Sequence, residues 1–327
     1  MNNLILTKKI LHWYDNNKRI LPWRKKCSQK KREYFTLVSE FMLQQTQVVT
    51  VIPYFNRFIK NIPDLKSLAK VQNKKLIKLW EGLGYYSRAR NLKKTAQIVI
   101  KNFRGKLPNN LEDLTSLPGI GNYTASAILA IAFNEPYIPL DGNIERVLKR
   151  YLYLKKDKEI RKDNLIQKKS IFGMSLRSND YAQALMELGA LICKPTNPLC
   201  NQCPISKKCK SFKKKDFDLT KSIKKNIDKY FLLKVYKRDQ RYLLIKNTKF
   251  NFLKNLTIFP MEELSKPKNF NKNLNFRMSN MNMSIKIQYS KNNKRLPSSY
   301  WVDKKKIKNY MLPTFTKKVV KYLENNK

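Results

Sequence analysis

The sequence contains very little histidine and cysteine. Its 327 residues include one histidine, His12, and five cysteines, four of which lie between residues 193 and 209. A lone histidine within an amphipathic helical segment argues against a histidine-rich zinc site and against catalysis by histidine. The clustered cysteines are not the pattern of a disulfide-stabilised secreted protein, and they favour a bound metal instead.

Acidic residues are also scarce. The chain has 23 Asp and Glu against 69 Lys and Arg, which gives a formal charge of +46 at pH 7. This surplus favours a polyanionic partner, nucleic acid above all, although a proteome-wide bias toward lysine would produce the same numbers. Because 42% of the residues are hydrophobic, the chain can build cores and is expected to be globular.

Long apolar runs are absent. No segment approaches the roughly 18 apolar residues that a membrane-spanning helix needs. The first residues, "MNNLILTKKILHWY", lack the small-residue cleavage site of a secretory signal. We therefore expect a cytoplasmic protein that has no membrane partner.

The hydrophobic pattern changes near residue 230. From Leu4 to about Leu191, apolar residues recur at helical spacing, and Pro, Gly and Asn mark the breaks. A lysine-rich stretch then leads to "YFLLKVY" and "RYLLIKN", which are typical of a β-hairpin, and to the alternating segment "SIKIQY". The sequence predicts a mainly α protein: an all-helical region followed by a small α+β domain, with a last helix after Pro313.

The segment "SLPGIGNYTA" predicts a helix-hairpin-helix at about 111–133. Gly119 and Gly121 would let backbone N–H groups converge at a helix N-terminus, where a phosphate can approach without meeting a side chain. The alternative is an ordinary tight turn between two helices.

The cysteine cluster predicts a metal centre. Cys193, Cys200, Cys203 and Cys209 are separated by six, two and five residues. Four thiolates without histidine suit either a structural zinc ion or a 4Fe-4S cluster. Zinc ribbons use two separated CxxC pairs, and this loop has one, so its spacing favours one 4Fe-4S cluster.

Several ordered motifs resemble those of one enzyme superfamily. The helix-hairpin-helix, "PLDGNIERVL" and the cysteine loop are similar to those of the helix-hairpin-helix base-excision glycosylases, which include endonuclease III. Within that superfamily, "LPWR", "SEFMLQQTQV" and "WEGLGYYSRARNL" resemble the adenine DNA glycosylases of the MutY type. The resemblance covers residues 1 to about 210. It implies an all-helical glycosylase fold with an iron-sulfur loop, followed by a MutT-like domain.

The resemblance also implies a division into domains. The expected parts are a helical iron-sulfur domain from 1–24 and 136–212, a helical domain at 25–135, a linker at 213–227 and a MutT-like lesion-recognition domain at 228–327.

The resemblance assigns the chemistry to two carboxyl groups. Cleaving an N-glycosidic bond requires a proton for the departing base and a negative group beside the oxocarbenium-like sugar. Glu40 would protonate adenine N7, provided that burial raises its pKa. Asp141, with help from Asn143, would stay ionised and stabilise the sugar. Without the resemblance, Glu40 reads as a surface charge and Asp141 as a helix N-cap.

Tyr123 occupies the position at which the bifunctional relatives carry a lysine. That lysine attacks the sugar and forms a Schiff base, which enables strand cleavage. A phenol cannot form a Schiff base, so the resemblance implies a monofunctional glycosylase.

Further residues are implied to contact DNA. The target adenine must leave the base stack before the enzyme can reach it. Gln45 would insert into the stack, Tyr85 would wedge beside the opposite base, and Gln44 would support Glu40. The walls of the adenine pocket would be Leu21, Trp23, Arg24 and Gln183.

The C-terminal domain departs from the MutY pattern. Those proteins read 8-oxoguanine with a Phe-Ser-His loop, and here Asn280, Met281 and Asn282 occupy the three positions. Before the final helix the domain holds only Glu262 and Glu263, too few glutamates for a nucleotide-diphosphate hydrolase. We expect lesion recognition there, and no catalysis.

Together these features predict a monofunctional adenine DNA glycosylase, a monomer with one 4Fe-4S cluster that acts on the nucleoid of a bacterium. Its substrate would be double-stranded DNA in which adenine is mispaired with 8-oxoguanine or guanine. One alternative is an endonuclease III-like glycosylase/lyase for oxidised pyrimidines, against which Tyr123 and Glu40 argue. The other is a catalytically decayed DNA-binding protein, which the altered loop at 280–282 leaves open.

Overall fold

The computed structural model describes residues 2–155, 165, 167–218, 226–265, 270–278, 280–290, 296–304, 307, 310 and 312–326. These residues belong to two compact units. The first unit comprises Met1–Asn73 and Ser87–Lys221, and the second comprises Lys74–Tyr86 and Ser222–Lys327. The domain boundaries expected from the sequence follow a different division and stay a prediction.

The first unit is helical, as the sequence predicts. In chain order the α-helices whose bounds the structure describes are α1 (Asn2–Asn17), α2 (Gln29–Leu43), α3 (Val48–Asn61), α4 (Leu65–Lys70), α5 (Asn73–Trp80), α6 (Ser87–Asn102), α7 (Leu111–Ser116), α8 (Asn122–Phe133), α9 (Gly142–Leu152), α10 (Ser178–Glu187), α11 (Lys210–Lys214) and α12 (Thr314–Asn325). All of these except α5 and α12 lie in the first unit. Among the described residues, no helix is both long and apolar enough to cross a bilayer.

Side-chain caps decide where several helices begin. Asp64 accepts a hydrogen bond from the backbone N–H of Ser67 at 2.7 Å, and Asn110 accepts one from Asp113 at 2.9 Å. Asp141 caps α9 in the same way and accepts from the N–H of Ile144 at 2.7 Å. Each cap satisfies an N–H group that has no partner inside its own helix. The N-cap interpretation of Asp141 is therefore correct, and it is compatible with a further role.

Helices α2 and α8 lie in the interior of the first unit. The residues of α8 from Thr124 to Ala130 are all buried, because this helix is apolar on every side. In α2 the run from Thr36 to Met42 is buried and includes Glu40. The carboxyl group of Glu40 is thus placed in a helix whose neighbours exclude water.

A second hydrophobic core joins the N-terminal helix to the later part of the same unit. Leu6, Ile10 and Tyr14 of α1 share this core with Val147 of α9 and Leu185 of α10. Cys193, Cys203 and Cys209 pack against its edge. The first helix is therefore tied to the segment that carries the cysteines.

The second unit contains a seven-stranded sheet. Its strands are β1 (Ile227–Arg238), β2 (Arg241–Lys246), β3 (Thr257–Ile258), β4 (Met261–Leu264), β5 (Leu274–Met278), β6 (Met281–Ser290) and β7 (Ser299–Asp303). Along the main path the order is β3-β2-β1-β6-β5, while β4 pairs with β1 and β7 pairs with β2. The β1 and β6 strands are parallel, and the other pairs are antiparallel.

Helix α12 covers the apolar side chains of this sheet. Phe315, Val319 and Leu323 of the helix share a core with Phe231 of β1 and Ile285 of β6. The predicted β1–β2 hairpin, the strand "SIKIQY" and the helix after Pro313 are all present. The expected fold class, a helical glycosylase region with a small α+β domain, is confirmed.

Candidate active site

One cleft of about 770 Å³ in the first unit contains all of the predicted catalytic and adenine-pocket residues. The predicted residues that line it are Leu21, Trp23, Arg24, Glu40, Tyr123, Asp141, Asn143 and Gln183. They come from segments up to 162 positions apart in the sequence, because Leu21 and Gln183 both reach the same space. Folding therefore assembles the set that the motifs indicate.

Glu40 is the buried acid of this cleft. Burial raises the pKa of its carboxyl group from 4.5 to about 7; a hydrogen bond from Tyr123 opposes this rise, and the nearby Asp141 charge adds to it. Within the described part of the chain, Glu40 Oε2 is buried and has no hydrogen-bond partner. A carboxyl group with these properties can hold a proton near neutral pH and give it to a ligand in the cleft.

Asp141 shares the cleft with Glu40 but has more hydrogen-bond donors around it. Burial raises the pKa of Asp141, and the N–H of Ile144 and the side chain of Asn143 lower it. Asn143 Nδ2 donates to Asp141 Oδ2 at 3.0 Å. Donors of this kind stabilise the ionised carboxylate. On balance the pKa of Asp141 is still raised, but both of its carboxyl oxygens accept hydrogen bonds, whereas Glu40 Oε2 accepts none from the described residues.

Tyr123 lies beside both carboxyl groups. Burial and the charges of Glu40 and Asp141 raise its pKa well above the usual value. Its hydroxyl therefore stays protonated and acts as a hydrogen-bond donor to Glu40.

Arg146 connects Asp141 to the cysteine loop. Its Nη2 donates to Asn143 Oδ1 at 2.8 Å and to the carbonyl of Gly189 at 2.7 Å. Its Nε donates to the carbonyl of Cys193 at 2.7 Å. The residue that orients Asp141 is thus held by the backbone at the first cysteine.

The structure adds an acid that the sequence reasoning missed. Glu187, at the end of α10, is fully buried and lines the cleft. Arg19 Nε lies 2.8 Å from its Oε2, and Arg24 Nη1 lies 2.9 Å from its Oε1. The signal in the sequence was a single glutamate inside the apolar run "ALMELGALI", because such a residue needs a buried partner.

The four predicted cysteines surround a second, smaller cavity. Cys193, Cys200, Cys203 and Cys209 all line it, together with Arg150 and other side chains of α9. Burial raises the pKa of the Cys203 thiol to about 12. Among the described residues, no three His, Cys, Asp or Glu side chains form a ready site for a single metal ion.

The helix-hairpin-helix is present, and its two glycines differ. Gly119 has φ +83°, and a Cβ atom there would lie 2.9 Å from Phe41 Cε1. Gly121 has φ −99° and would meet nothing within 4 Å. Gly119 is therefore required by its own backbone and by packing, whereas the fold itself does not require glycine at 121.

Gln44 and Gln45 form the turn after α2. Gln44 Nε2 donates to the carbonyl of Gly119 at 3.2 Å, so this side chain contacts the hairpin. Gln45 is exposed and has the left-handed φ of 56°. In the second unit, Tyr85 is likewise exposed, with φ 45°. These positions are accessible to a ligand, and their DNA contacts stay predictions.

The three C-terminal candidates do not form a loop. Asn280 lies in the turn between β5 and β6, but Met281 and Asn282 are the first residues of β6. Met281 pairs with Ile227 and Asn282 with Asp228 in the parallel β1–β6 register, and Asn282 Nδ2 donates to Asp228 Oδ1 at 2.9 Å. The expectation of a three-residue loop was wrong, because pairing with β1 extends the strand to Met281.

Comparison with known proteins identifies the family. Residues 38–169 match the HhH-GPD superfamily of base excision DNA repair proteins. The adenine DNA glycosylase of Buchnera aphidicola subsp. Schizaphis graminum is 37% identical over 273 residues, which cover 80% of this chain and 76% of the relative. The chain belongs to the adenine DNA glycosylase family. This membership confirms the expected relationship and the expected class of enzyme, a DNA glycosylase of base-excision repair.

Two further similarities to this glycosylase are more limited in extent. The adenine DNA glycosylase of Buchnera aphidicola subsp. Baizongia pistaciae is 43% identical over 213 residues, which cover 65% of this chain. The match spans only 60% of that relative, less than two thirds of its length. The solved structure of a thermostable thymine-DNA glycosylase has a TM-score of 0.57 and 26% identity, over 65% of this chain and 97% of that one.

Proposed function

We propose that this glycosylase removes adenine mispaired with 8-oxoguanine or guanine and leaves an abasic site. The observation that carries the proposal is Glu40: a buried carboxyl group with a pKa of about 7 and an unpartnered oxygen, in the same cleft as Asp141. A departing purine needs a proton, and the sugar it leaves needs a nearby negative charge. The cleft provides groups for both needs.

In the proposed mechanism the two acids have separate roles. Glu40 donates its proton to N7 of the flipped adenine, so the base departs as a neutral species. Asp141 remains ionised and stabilises the positive charge that develops on the sugar. Asn143 keeps Asp141 in place, and Tyr123 donates a hydrogen bond to the carboxylate that Glu40 becomes. Water then adds to C1′ of the sugar and gives one proton to the Glu40 carboxylate, which completes the hydrolysis and restores the acid.

The other walls of the cleft would select the base. Leu21 and Trp23 offer apolar and aromatic surface against which a purine ring can pack. Gln183 offers an amide, and the ion pairs of Glu187 with Arg19 and Arg24 place further donors and acceptors beside the same space.

We further propose that the four cysteines bind one 4Fe-4S cluster. Their common cavity beside α9 supports this, because one group bound by all four sulfurs would cross-link the turns of the loop where the loop packs against that helix. Burial raises the pKa of the Cys200, Cys203 and Cys209 thiols, so these three would become thiolates when a cationic centre binds. Such a cluster would supply rigidity to the loop and would take no part in cleaving the glycosidic bond.

The remaining proposals concern the setting of the reaction. The enzyme would act as a monomer on double-stranded DNA in the bacterial cytoplasm. Gln45 and Tyr85 would fill and wedge the stack, and Gly119 and Gly121 would present backbone N–H groups to a phosphate.

Single-turnover assays on a duplex with adenine opposite 8-oxoguanine, and on one with adenine opposite guanine, test the function. We expect strand breaks only after alkali treatment, and their loss in Glu40→Gln. Breaks without alkali, together with borohydride trapping of a covalent complex, would instead indicate a glycosylase/lyase. Normal DNA binding without any product would indicate a decayed enzyme.

A further inference from the structure

A buried arginine joins the end of α2 to the start of α6. Arg88 lies in the first turn of α6 and is buried. Its Nη1 donates to the carbonyls of Phe41 at 3.1 Å and Met42 at 2.8 Å, and also to the carbonyl of Gln44. The last carbonyls of a helix have no partners inside it, and a cation there complements the helix dipole.

The turn held by this arginine has an unfavourable backbone conformation. Gln45 has φ 56°, in the left-handed region that is unfavourable for a residue other than glycine. Such a conformation persists only where its surroundings fix it. On one side of Gln45, the Gln44 carbonyl accepts from Arg88; on the other, the N–H of Thr46 donates to the carbonyl of Leu43 at 3.1 Å.

The same turn is connected to the two other functional elements of the first unit. Gln44 Nε2 donates to the carbonyl of Gly119 in the hairpin. The N–H of Gln44 donates to the carbonyl of Glu40 at 3.2 Å, so the turn begins one helical turn after the acid. A shift of Gln45 would therefore displace groups that contact both the hairpin and the helix that carries Glu40.

We propose that Arg88 is a positioning residue for base extrusion. It fixes the left-handed turn that presents Gln45 and so prepares the protein to open the duplex before chemistry begins. The inference rests on the proposed function and deepens it, because it assigns the geometry of the inserting residue to a side chain outside the cleft. The guanidinium acts through Gln44 and Gln45 and does not itself touch the adenine.

Arg88→Lys is the informative variant, because it keeps the charge but loses the planar guanidinium that reaches three carbonyls. Single-turnover release would be compared for adenine opposite 8-oxoguanine and for adenine opposite an abasic-site analogue, where no pairing has to be broken. We expect the rate on the paired adenine to fall about ten- to a hundredfold, and the rate on the unpaired adenine to change much less. Arg104→Lys, exposed in the turn after α6, is the matched control and should leave both rates unchanged.

Extrusion can be measured without cleavage. With 2-aminopurine in place of the adenine and Glu40→Gln in every protein, the rise in fluorescence on binding reports unstacking of that base. We expect a smaller rise with Arg88→Lys, at protein concentrations that saturate the DNA. This measurement still applies if the wild type releases no adenine, a result that would refute the proposed function but not the role of Arg88.

A general loss of folding would lower both release rates equally, so the ratio of the two rates distinguishes positioning from stability. If Arg88→Lys lacks the melting transition of the wild type, Thr46→Val provides a milder change. It removes only the hydroxyl that donates to the carbonyl of Gln44 at 3.4 Å, and we expect a smaller change of the ratio in the same direction. An unchanged ratio together with an unchanged fluorescence rise would overturn the proposal.

Discussion

At the scale of single residues, Glu40 links stability to the proposed function. Its folded pKa of about 7 lies above its ordinary 4.5, so the folded protein holds this proton more tightly than the unfolded chain does. The contribution of Glu40 to stability is therefore fully present below pH 4.5 and is lost as the pH rises toward 7. A shift of this size lowers the free energy of unfolding by about 3 kcal/mol at pH values above 7.

Replacing Glu40 with glutamine removes the ionisable group while keeping its shape. Glu40→Gln should unfold at a higher temperature than the wild type at pH 8, with a gain of up to about 3 kcal/mol, and at nearly the same temperature at pH 4.5. Thermal unfolding at the two pH values measures this difference. An equal gain at both would mean that ionisation of Glu40 is not its cause.

The residues that sequence reasoning could propose and the one that it missed differ in one respect. Glu40, Asp141 and the cysteines lie inside motifs that can be read locally. Glu187 forms ion pairs with Arg19 and Arg24, which are 168 and 163 positions away in the sequence and contact it only after folding. A pattern along the chain cannot reveal such a pair, although an acid within an apolar run signals that a partner exists.

At the scale of elements, the two glycines of the hairpin before α8 should differ in their effect on stability when they are replaced. Gly119→Ala would place a methyl group 2.9 Å from Phe41 on α2 and strain a backbone with φ +83°, so it should destabilise the protein by about 2 kcal/mol or more. Gly121→Ala meets no atom within 4 Å and should leave stability nearly unchanged.

Gly121→Ala, which should keep its stability, is the variant for which we expect weaker DNA binding. If the N–H groups near residue 121 receive a phosphate, Gly121→Ala weakens duplex binding although its unfolding is normal. Denaturant unfolding and fluorescence anisotropy measure the two effects. A Gly121→Ala protein that binds DNA like the wild type would limit the role of the hairpin to packing.

Elements with local signals were the ones that the sequence could predict. The β1–β2 hairpin and the helix after Pro313 follow from turn residues and hydrophobic spacing within a few positions. The parallel pairing of β1 with β6 joins residues more than 50 positions apart, and it is this pairing that places Asn282 in a strand beside Asp228. The loop expected at 280–282 was wrong because its extent depends on that distant partner.

At the scale of the whole molecule, the charge of +46 has two interpretations. A bias of composition spreads lysine without regard to function. A binding surface instead concentrates cations where DNA lies, and Lys18, Lys25, Lys26 and Arg32 do line the active-site cleft together with Arg19. Composition indicates that a partner would be negatively charged, but only folding brings these cations to the cleft that we propose as the adenine site.

The salt dependence of binding distinguishes these interpretations. If the cations around the cleft contact six or more phosphates, the Kd for an undamaged duplex should rise about a thousandfold or more between 50 and 200 mM salt. Changing Lys25 and Lys26 to Gln together should make the plot of log Kd against log salt shallower by about two phosphate contacts, whereas Lys101→Gln, exposed on α6, should not change it. Fluorescence anisotropy over that salt range gives both slopes. A wild-type slope that corresponds to about one phosphate contact would mean that most of the positive charge reflects composition. If Lys101→Gln lowered the slope as much as the Lys25 and Lys26 changes do, DNA binding would depend on the charge of the whole molecule and not on a defined surface.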